Sequence, residues 1–131
     1  MSRRLRGQTA IVEAAEAARA FGELQWLGDD ELARLCIVVE EMVANLYDHG
    51  GLTDQDEVEL NFAVDPEGIR VSIADPGSPF DPWAAPRRPG AAERGGGVGI
   101  DIVRAWAQFI SYGPTPEGNR LIFLLPVSWE S

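Results

Sequence analysis

Residues 58–73 constrain the fold most tightly. Val58, Leu60, Phe62 and Val64 alternate with more polar neighbours, and Ile69, Val71 and Ile73 do the same beyond Asp65, Pro66, Glu67 and Gly68. A period of two sends successive side chains to opposite faces, so each run predicts a strand with one apolar face, and the intervening residues read as a hairpin turn. A lone ribbon of two strands is marginal in water, so other parts of the chain must cover that face. The cover lies upstream. Leu32, Leu35, Cys36, Val39, Met42, Val43 and Leu46 form a wide apolar face at helical spacing, which predicts a helix from about Asp30 to Asp48. An aspartate after Gly28 is its expected N-cap, and His49, Gly50 and Gly51 its end. Ile11, Ala15, Ala18 and Phe21 predict an earlier helix over about Ile11 to Gly22.

Proline and glycine dominate from Pro76 to Gly97, which reads as a mobile loop. A third helix is expected over about Val98 to Ala107. Phe109 to Tyr112 and Leu121 to Val127 then read as a closing hairpin joined through Pro114 to Gly118. The order ααββαββ predicts an α+β fold of two layers, with helices on one face of a mixed, mostly antiparallel sheet. The 131 residues fit a single domain, 1–131.

Charge and composition remove several classes. The net charge is −10 and the pI about 4.4, so nucleic acid would meet repulsion over most of the surface. Such acidity suits basic protein partners better. All 11 basic residues are arginine. Without lysine, Walker-type P-loop chemistry and the usual protein-kinase fold are excluded, and any phosphate must be held by arginine, backbone amides and a metal. No apolar run approaches the roughly 20 residues of a membrane span. The basic start, Met1 to Arg6, has no long apolar region after it, so no signal peptide is expected. Cys36 is the one cysteine, which leaves no intramolecular disulfide and points to a reducing cytoplasm.

Three features carry chemistry. Glu41 and Asn45 are four residues apart and share a helical face, about 100° from the core stripe through Met42. The amide oxygen suits Mg²⁺, and the carboxylate can accept a proton from a hydroxyl or a water. Taken alone, the pair could equally be a solvated helix edge. Asp75 continues the alternation of Ile69, Val71 and Ile73, so it should face the interior. A buried carboxylate needs a hydrogen bond. It could accept the exocyclic amino group of adenine at a pocket floor, or cap the turn through its own backbone. Finally, Gly95, Gly96, Gly97, Val98, Gly99 and Ile100 lead into the expected third helix, where free amides and the helix dipole favour phosphate. Glycines in a flexible linker look alike. The preceding strand and parallel βαβ unit of a dinucleotide fingerprint are missing.

The order and spacing of these features resemble the GHKL (Bergerat) ATPase superfamily. Glu41 to Asn45 is similar to its N-box. Asp75, Gly77 and Phe80 resemble the first glycine box, D-x-G-x-x-F, and Gly97, Val98, Gly99, Ile100 and Ile102 the second, G-x-G-[LI]-x-[LI]. The match runs from about Asp30 to Leu125. Within the superfamily, E-x-V-x-N-x-x-x-H-G over Glu41 to Gly50, followed by Phe80, Asp81 and Pro82, is similar to the anti-sigma-factor serine-protein kinases.

The resemblance implies a Bergerat-type ATP site with ATP and Mg²⁺ as cofactors. Its nucleotide set would be Asn45, Asp75, Gly77, Phe80, Gly95, Gly97, Val98, Gly99, Ile100 and Asn119. Asn45 would hold Mg²⁺, Asp75 the adenine amino group, and the loop of residues 76–97 would close as a lid. Glu41 would be the general base towards a serine or threonine of a protein substrate, an anti-sigma-factor antagonist. A sigma factor would be the second partner, and family members usually form a homodimer. The chain departs from the pattern in two places. Gly118, Asn119 and Arg120 stand where relatives often carry a threonine, although Asn119 can still hydrogen-bond. The N-terminal strand that often belongs to the dimer surface is expected to be short or missing. These departures keep a second reading open, a regulatory binding module whose nucleotide, if any, only sets partner affinity. A histidine-kinase catalytic domain ranks last, since the lysine common in that N-box is lacking.

Other residues are assigned structural roles. His49 is expected at a helix end, Cys36 and Trp106 in the core, and Asp54, Asp56, Glu57 and Glu59 on a solvated surface. Trp83 is expected to shield the nucleotide. Of Arg87, Arg88 and Arg94 in the lid, one is available to neutralise a γ-phosphate.

Overall fold

The computed structural model describes residues 1–84 and 99–129. Its elements are β1 (Ser2–Arg6), α1 (Ala10–Leu24), α2 (Asp29–Asp48), β2 (Glu57–Asp65), β3 (Gly68–Asp75), α3 (Gly99–Trp106), β4 (Gln108–Thr115) and β5 (Gly118–Pro126), with short 3₁₀ turns at Gly7–Thr9 and Pro82–Ala84. The five strands lie in the order β1-β2-β3-β5-β4. Every pairing is antiparallel, so the sheet is not mixed as expected.

The α+β, two-layer expectation holds. One face of the sheet supplies Leu5, Val58, Leu60, Phe62, Ile69, Val71, Ile73, Leu121, Phe123 and Leu125 to a single buried cluster shared with α1, α2 and α3. Arg4, Glu59, Asn61, Arg70, Ser72 and Arg120 line grooves on the opposite face. At the centre, the rings of Phe21 on α1 and Phe62 on β2 stack with centroids 5.3 Å apart. The buried stripe of α1 is Ala10, Ala14, Ala17, Ala18, Phe21 and Gly22, one position off the expected line through Ile11 and Ala15. Small side chains there let α1 lie close to α2, where Leu32 Cδ1 would collide with any Cβ on Gly22.

One local expectation is corrected. The N-cap of α2 is Gly28, with no side-chain cap, and Asp29, Asp30 and Glu31 occupy the first turn, where the helix dipole favours them. The N-terminal strand, expected to be short or missing, is present and short, with five residues. Ser-Arg-Arg-Leu-Arg has one inward residue, Leu5, too few for an alternation signal, yet it pairs along its length with β2. Charge across the ladder supports it. Arg4 reaches Glu57 at 3.5 Å and Glu59 at 3.3 Å, and Arg6 reaches Glu57 at 3.5 Å. Glu57 and Glu59 are therefore strand-pairing groups as well as surface ones.

β4 and β5 are longer than expected and turn tightly through Pro116 and Glu117, while a register shift between Phe109 and Ser111 leaves Ile110 as an extra residue in β4. Among the described residues, no helix is long and apolar enough to cross a membrane.

Candidate functional site

Three polar side chains are buried among the described residues: Asn45 (3% exposed), Asp75 (7%) and Asn119 (2%). They come from α2, the last residue of β3 and the start of β5, and all three are residues the sequence singles out. Burial of such groups is costly unless their hydrogen bonds are met. Their partners lie in one segment, residues 77–82. Asn45 Nδ2 donates to the Pro82 carbonyl at 3.2 Å. Asp75 Oδ1 accepts from the Gly77 N–H at 2.9 Å. Asn119 Nδ2 donates to the carbonyls of Gly77 at 2.9 Å and Ser78 at 3.3 Å.

Asp75 sits where the alternation of β3 puts it, on the interior face and opposite Asn119 in the ladder. One oxygen caps the turn, while the side chain remains on the interior side. Burial pushes its carboxyl above the ordinary range, and the Gly77 N–H and the Asn119 amide pull it partly back. Gly77 is needed for close approach, because a Cβ would stand 2.9 Å from Leu52 Cδ2 and 3.2 Å from Asp75 Oδ1. A Cβ on Gly50 would meet Phe80 Cδ2 at 3.0 Å, so the end of α2 and the segment after β3 are in contact. Motifs 30 residues apart in sequence, Asn45 and Asp75, thus converge on one corner.

Asn45 is more enclosed than a helix edge, because the Pro82 turn covers that side of α2. Its amide nitrogen is engaged by Pro82, which leaves the oxygen as the end suited to a hard cation. Among the described residues no group of three or more His, Cys, Asp or Glu could hold a metal, so Mg²⁺ here would depend on Asn45, water and phosphate oxygens. Glu41, one turn before Asn45, is half-buried. Gly99 opens α3, and Ile100 buries its side chain in the core, so its backbone is the part it can offer a ligand. Gly95, Gly97 and Val98 lie outside the described residues, as do Arg87, Arg88, Arg94 and the rest of the lid from 85 to 98.

Several contributors were not legible. The Phe80 N–H donates to the Tyr112 hydroxyl at 2.7 Å, a contact that joins the first glycine box to β4. Asp81 Oδ1 accepts from Trp83 N–H at 2.9 Å, and Arg104 on α3 donates to the Trp83 carbonyl at 3.1 Å. The first part of the expected mobile loop, residues 76–84, is thereby fixed by side chains from α2, α3, β4 and β5. Aspartate before a turn was the one available signal; Tyr112 and Arg104 look like any strand and helix residue. The Trp83 ring packs against Phe109 and Phe123, with centroids 5.9 and 5.7 Å away. Trp106 is half-buried, packed against the core, with the Arg34 guanidinium 5.5 Å above its ring. His49 is the C-cap of α2, as expected.

An antiparallel sheet backed by three helices, with Asn45, Asp75 and Asn119 buried beside the segment of residues 77–82, has the architecture of a GHKL-type ATPase domain. The histidine kinase-like ATPase domain family model matches residues 7–125, and the chain belongs to that family. Domains of this family bind ATP, generally with Mg²⁺. No curated protein matches the chain.

Proposed function

We propose that this protein is an ATP-dependent serine/threonine kinase of the anti-sigma-factor type, which phosphorylates an anti-sigma-factor antagonist and sequesters a sigma factor in the cytoplasm. The observation that carries the reading is Glu41 one helical turn from Asn45, in a corner that also holds Asp75. ATP belonging to the family supplies the γ-phosphoryl group, and Mg²⁺ offsets its charge. Asp75 would accept the adenine amino group, Gly77 would leave room for the ring, and the Asn45 amide oxygen would be the protein's ligand to Mg²⁺. Glu41 takes the proton of the substrate hydroxyl as its oxygen bonds to phosphorus and ADP leaves.

Glu41→Gln is the test. The variant keeps Mg-ATP affinity and loses phosphotransfer to the antagonist by about 10²–10⁴-fold, the usual worth of a general base. Phosphotransfer at the wild-type rate would remove Glu41 from that role. A homodimer belongs to the same proposal, since the outer edge of β1 has no strand partner among the described residues and can pair with a second copy. Sedimentation at micromolar concentrations checks it, with a monomer as the contrary result.

One observation favours the regulatory module as a second reading. The Asn119 amide is engaged by loop carbonyls, where family members often place a threonine near the phosphates. A partner bound equally well with and without ATP, and never phosphorylated, would decide for it.

A further inference from the structure

The irregularity in β4 is small, but it decides where one side chain points. Phe109 stands opposite Phe123 and Tyr112 opposite Leu121 in the β4–β5 ladder, so three steps along β4 match two along β5. Phe123 and Leu121 are both buried beneath the helices. Residues directly opposite one another share a face, so Phe109 and Tyr112 face inward together. In an unbroken strand, residues three apart would point to opposite faces. The extra residue, Ile110, turns Tyr112 inward, and bulges next to functional sites commonly re-aim a side chain in this way. Ser111, opposite Ile122, then faces the outer side of the sheet.

The phenol brought inside by the bulge meets the first glycine box. Its hydroxyl accepts from the Phe80 N–H at 2.7 Å, and both rings pack against the core. Phe80 in turn is what a Cβ on Gly50 would meet, at the end of the helix that carries Asn45. Burial pushes the Tyr112 phenol pKa up, the Phe80 N–H pulls it partly back, and Asp75 and Asp81 push it up again, so the hydroxyl stays neutral. Phe80 lies between two other anchored points, Gly77, held by Asp75 and Asn119, and Pro82, held by Asn45. In the reading above, those two ends serve adenine and Mg²⁺. β4 itself supplies no residue to the expected nucleotide set, so this hydroxyl is its one link to the site. We propose that Tyr112 is a positioning residue for the nucleotide, whose hydroxyl fixes the backbone at Phe80 and with it the spacing between the adenine end and the metal end of the corner. It acts through Phe80 and not by contact with the ligand. The inference rests on the nucleotide reading of this corner.

Tyr112→Phe keeps the ring and removes only the acceptor of the Phe80 N–H. Calorimetry with Mg-ADP and Mg-GDP on the full chain, well below the thermal midpoint, compares it with wild type and with Ser111→Ala, a change to its outward neighbour. Tyr112→Phe binds Mg-ADP about three- to tenfold more weakly, the span of one hydrogen bond's net contribution, and discriminates less against Mg-GDP. Ser111→Ala binds as wild type does. Amide exchange followed by NMR at the Phe80 N–H is the second readout: it speeds up in unliganded Tyr112→Phe and slows again on saturation with Mg-ADP. A purely structural tyrosine would lower the midpoint of the variant and leave the Mg-ADP affinity of the folded protein unchanged, and that result overturns the proposal. So does Phe80 exchange that the substitution leaves unaltered. Equal weakening in Ser111→Ala also overturns it, by assigning the effect to the β4 edge as a whole. A wild type that binds neither nucleotide overturns the nucleotide reading of the corner and this inference with it, whereas wild-type binding that Tyr112→Phe leaves intact overturns this inference alone.

Discussion

Around Phe62 the interior is apolar on every side, while at the end of β3 it holds Asn45, Asp75 and Asn119. The two regions share one sheet and one helix, α2, yet they are held by different forces. At Phe62, tight packing removes apolar surface from water, and the contribution scales with area and tolerates no void. At Asp75, each buried polar atom is a liability offset by a specific partner, so the segment of residues 77–82 is fixed by hydrogen bonds more than by area. The contrast teaches where function can be built. A site of the second kind carries directional groups and a disfavoured charge, and it is stable because the first kind is so well packed.

The comparison can be broken from the apolar side first. Phe62→Ala deletes the ring stacked on Phe21 and leaves a void at the centre of the core. Urea denaturation should show a loss of about 3–5 kcal/mol, the range for large aromatic truncations. A loss well under 1 kcal/mol would mean that the centre lies elsewhere.

Asn119→Ala comes next. It removes the donor shared by Gly77 and Ser78 and an amide that helps hold Asp75 charged. The expected cost is about 1–3 kcal/mol, accompanied by weaker adenine-nucleotide binding in calorimetry. Unchanged binding would separate the turn from the ligand site.

Asp75→Asn sharpens the contrast, because its two effects have opposite sign. Burial raises the pKa of Asp75, so the folded state disfavours its charge. The contribution of this group to stability is complete below the unfolded pKa of about 4 and is lost as pH rises through the folded value. Asparagine keeps an oxygen for the Gly77 N–H and carries no charge. The variant should be more stable than wild type at pH 7, with the difference shrinking towards pH 3, and its selective binding of ATP and ADP over GTP should be lost. A variant less stable at pH 7 than at pH 3, relative to wild type, would reverse the sign argued for the buried charge.

Arg4→Ala gives the smallest effect. Arg4 bridges Glu57 and Glu59 while 71% exposed. Such pairs contribute well under 1 kcal/mol after screening, and the difference from wild type should fade in 0.5 M salt. A salt-independent loss would show that packing of the arginine stem, rather than its charge, holds β1.

Much of this plan was legible, and the misses have identifiable causes. The β2–β3 hairpin, α2 and Asp75 on the inner face followed from period alone, because a half-buried strand or helix writes its environment into alternate or every third and fourth residue. β1 escaped because a five-residue edge strand with a single inward leucine has no period to read, and its support is cross-strand charge from residues more than 50 positions away. Proline and glycine content reads as mobility in the loop after Asp75, yet residues 76–84 are tied down by Asn45, Tyr112, Arg104 and Asn119, none of them a neighbour in sequence. The surface that Trp83 packs on is hidden for the same reason, since an aromatic residue in a loop gives no sign of which apolar surface it will meet.

The sequence by itself determined the element types from α1 onward, the inner and outer faces of α2, β2 and β3, the exclusion of lysine-based phosphate chemistry and the identity of the polar residues worth watching. These are local properties, set by residue chemistry and by spacings of two to four positions. Tertiary structure alone decided that Asn45, Asp75 and Asn119 are buried together, that Pro82, Tyr112 and Arg104 hold the segment beside them, and that Trp26 remains in water. Burial and hydrogen-bond partnership depend on which distant residues arrive at the same place, and that is settled only when the helices close over the sheet.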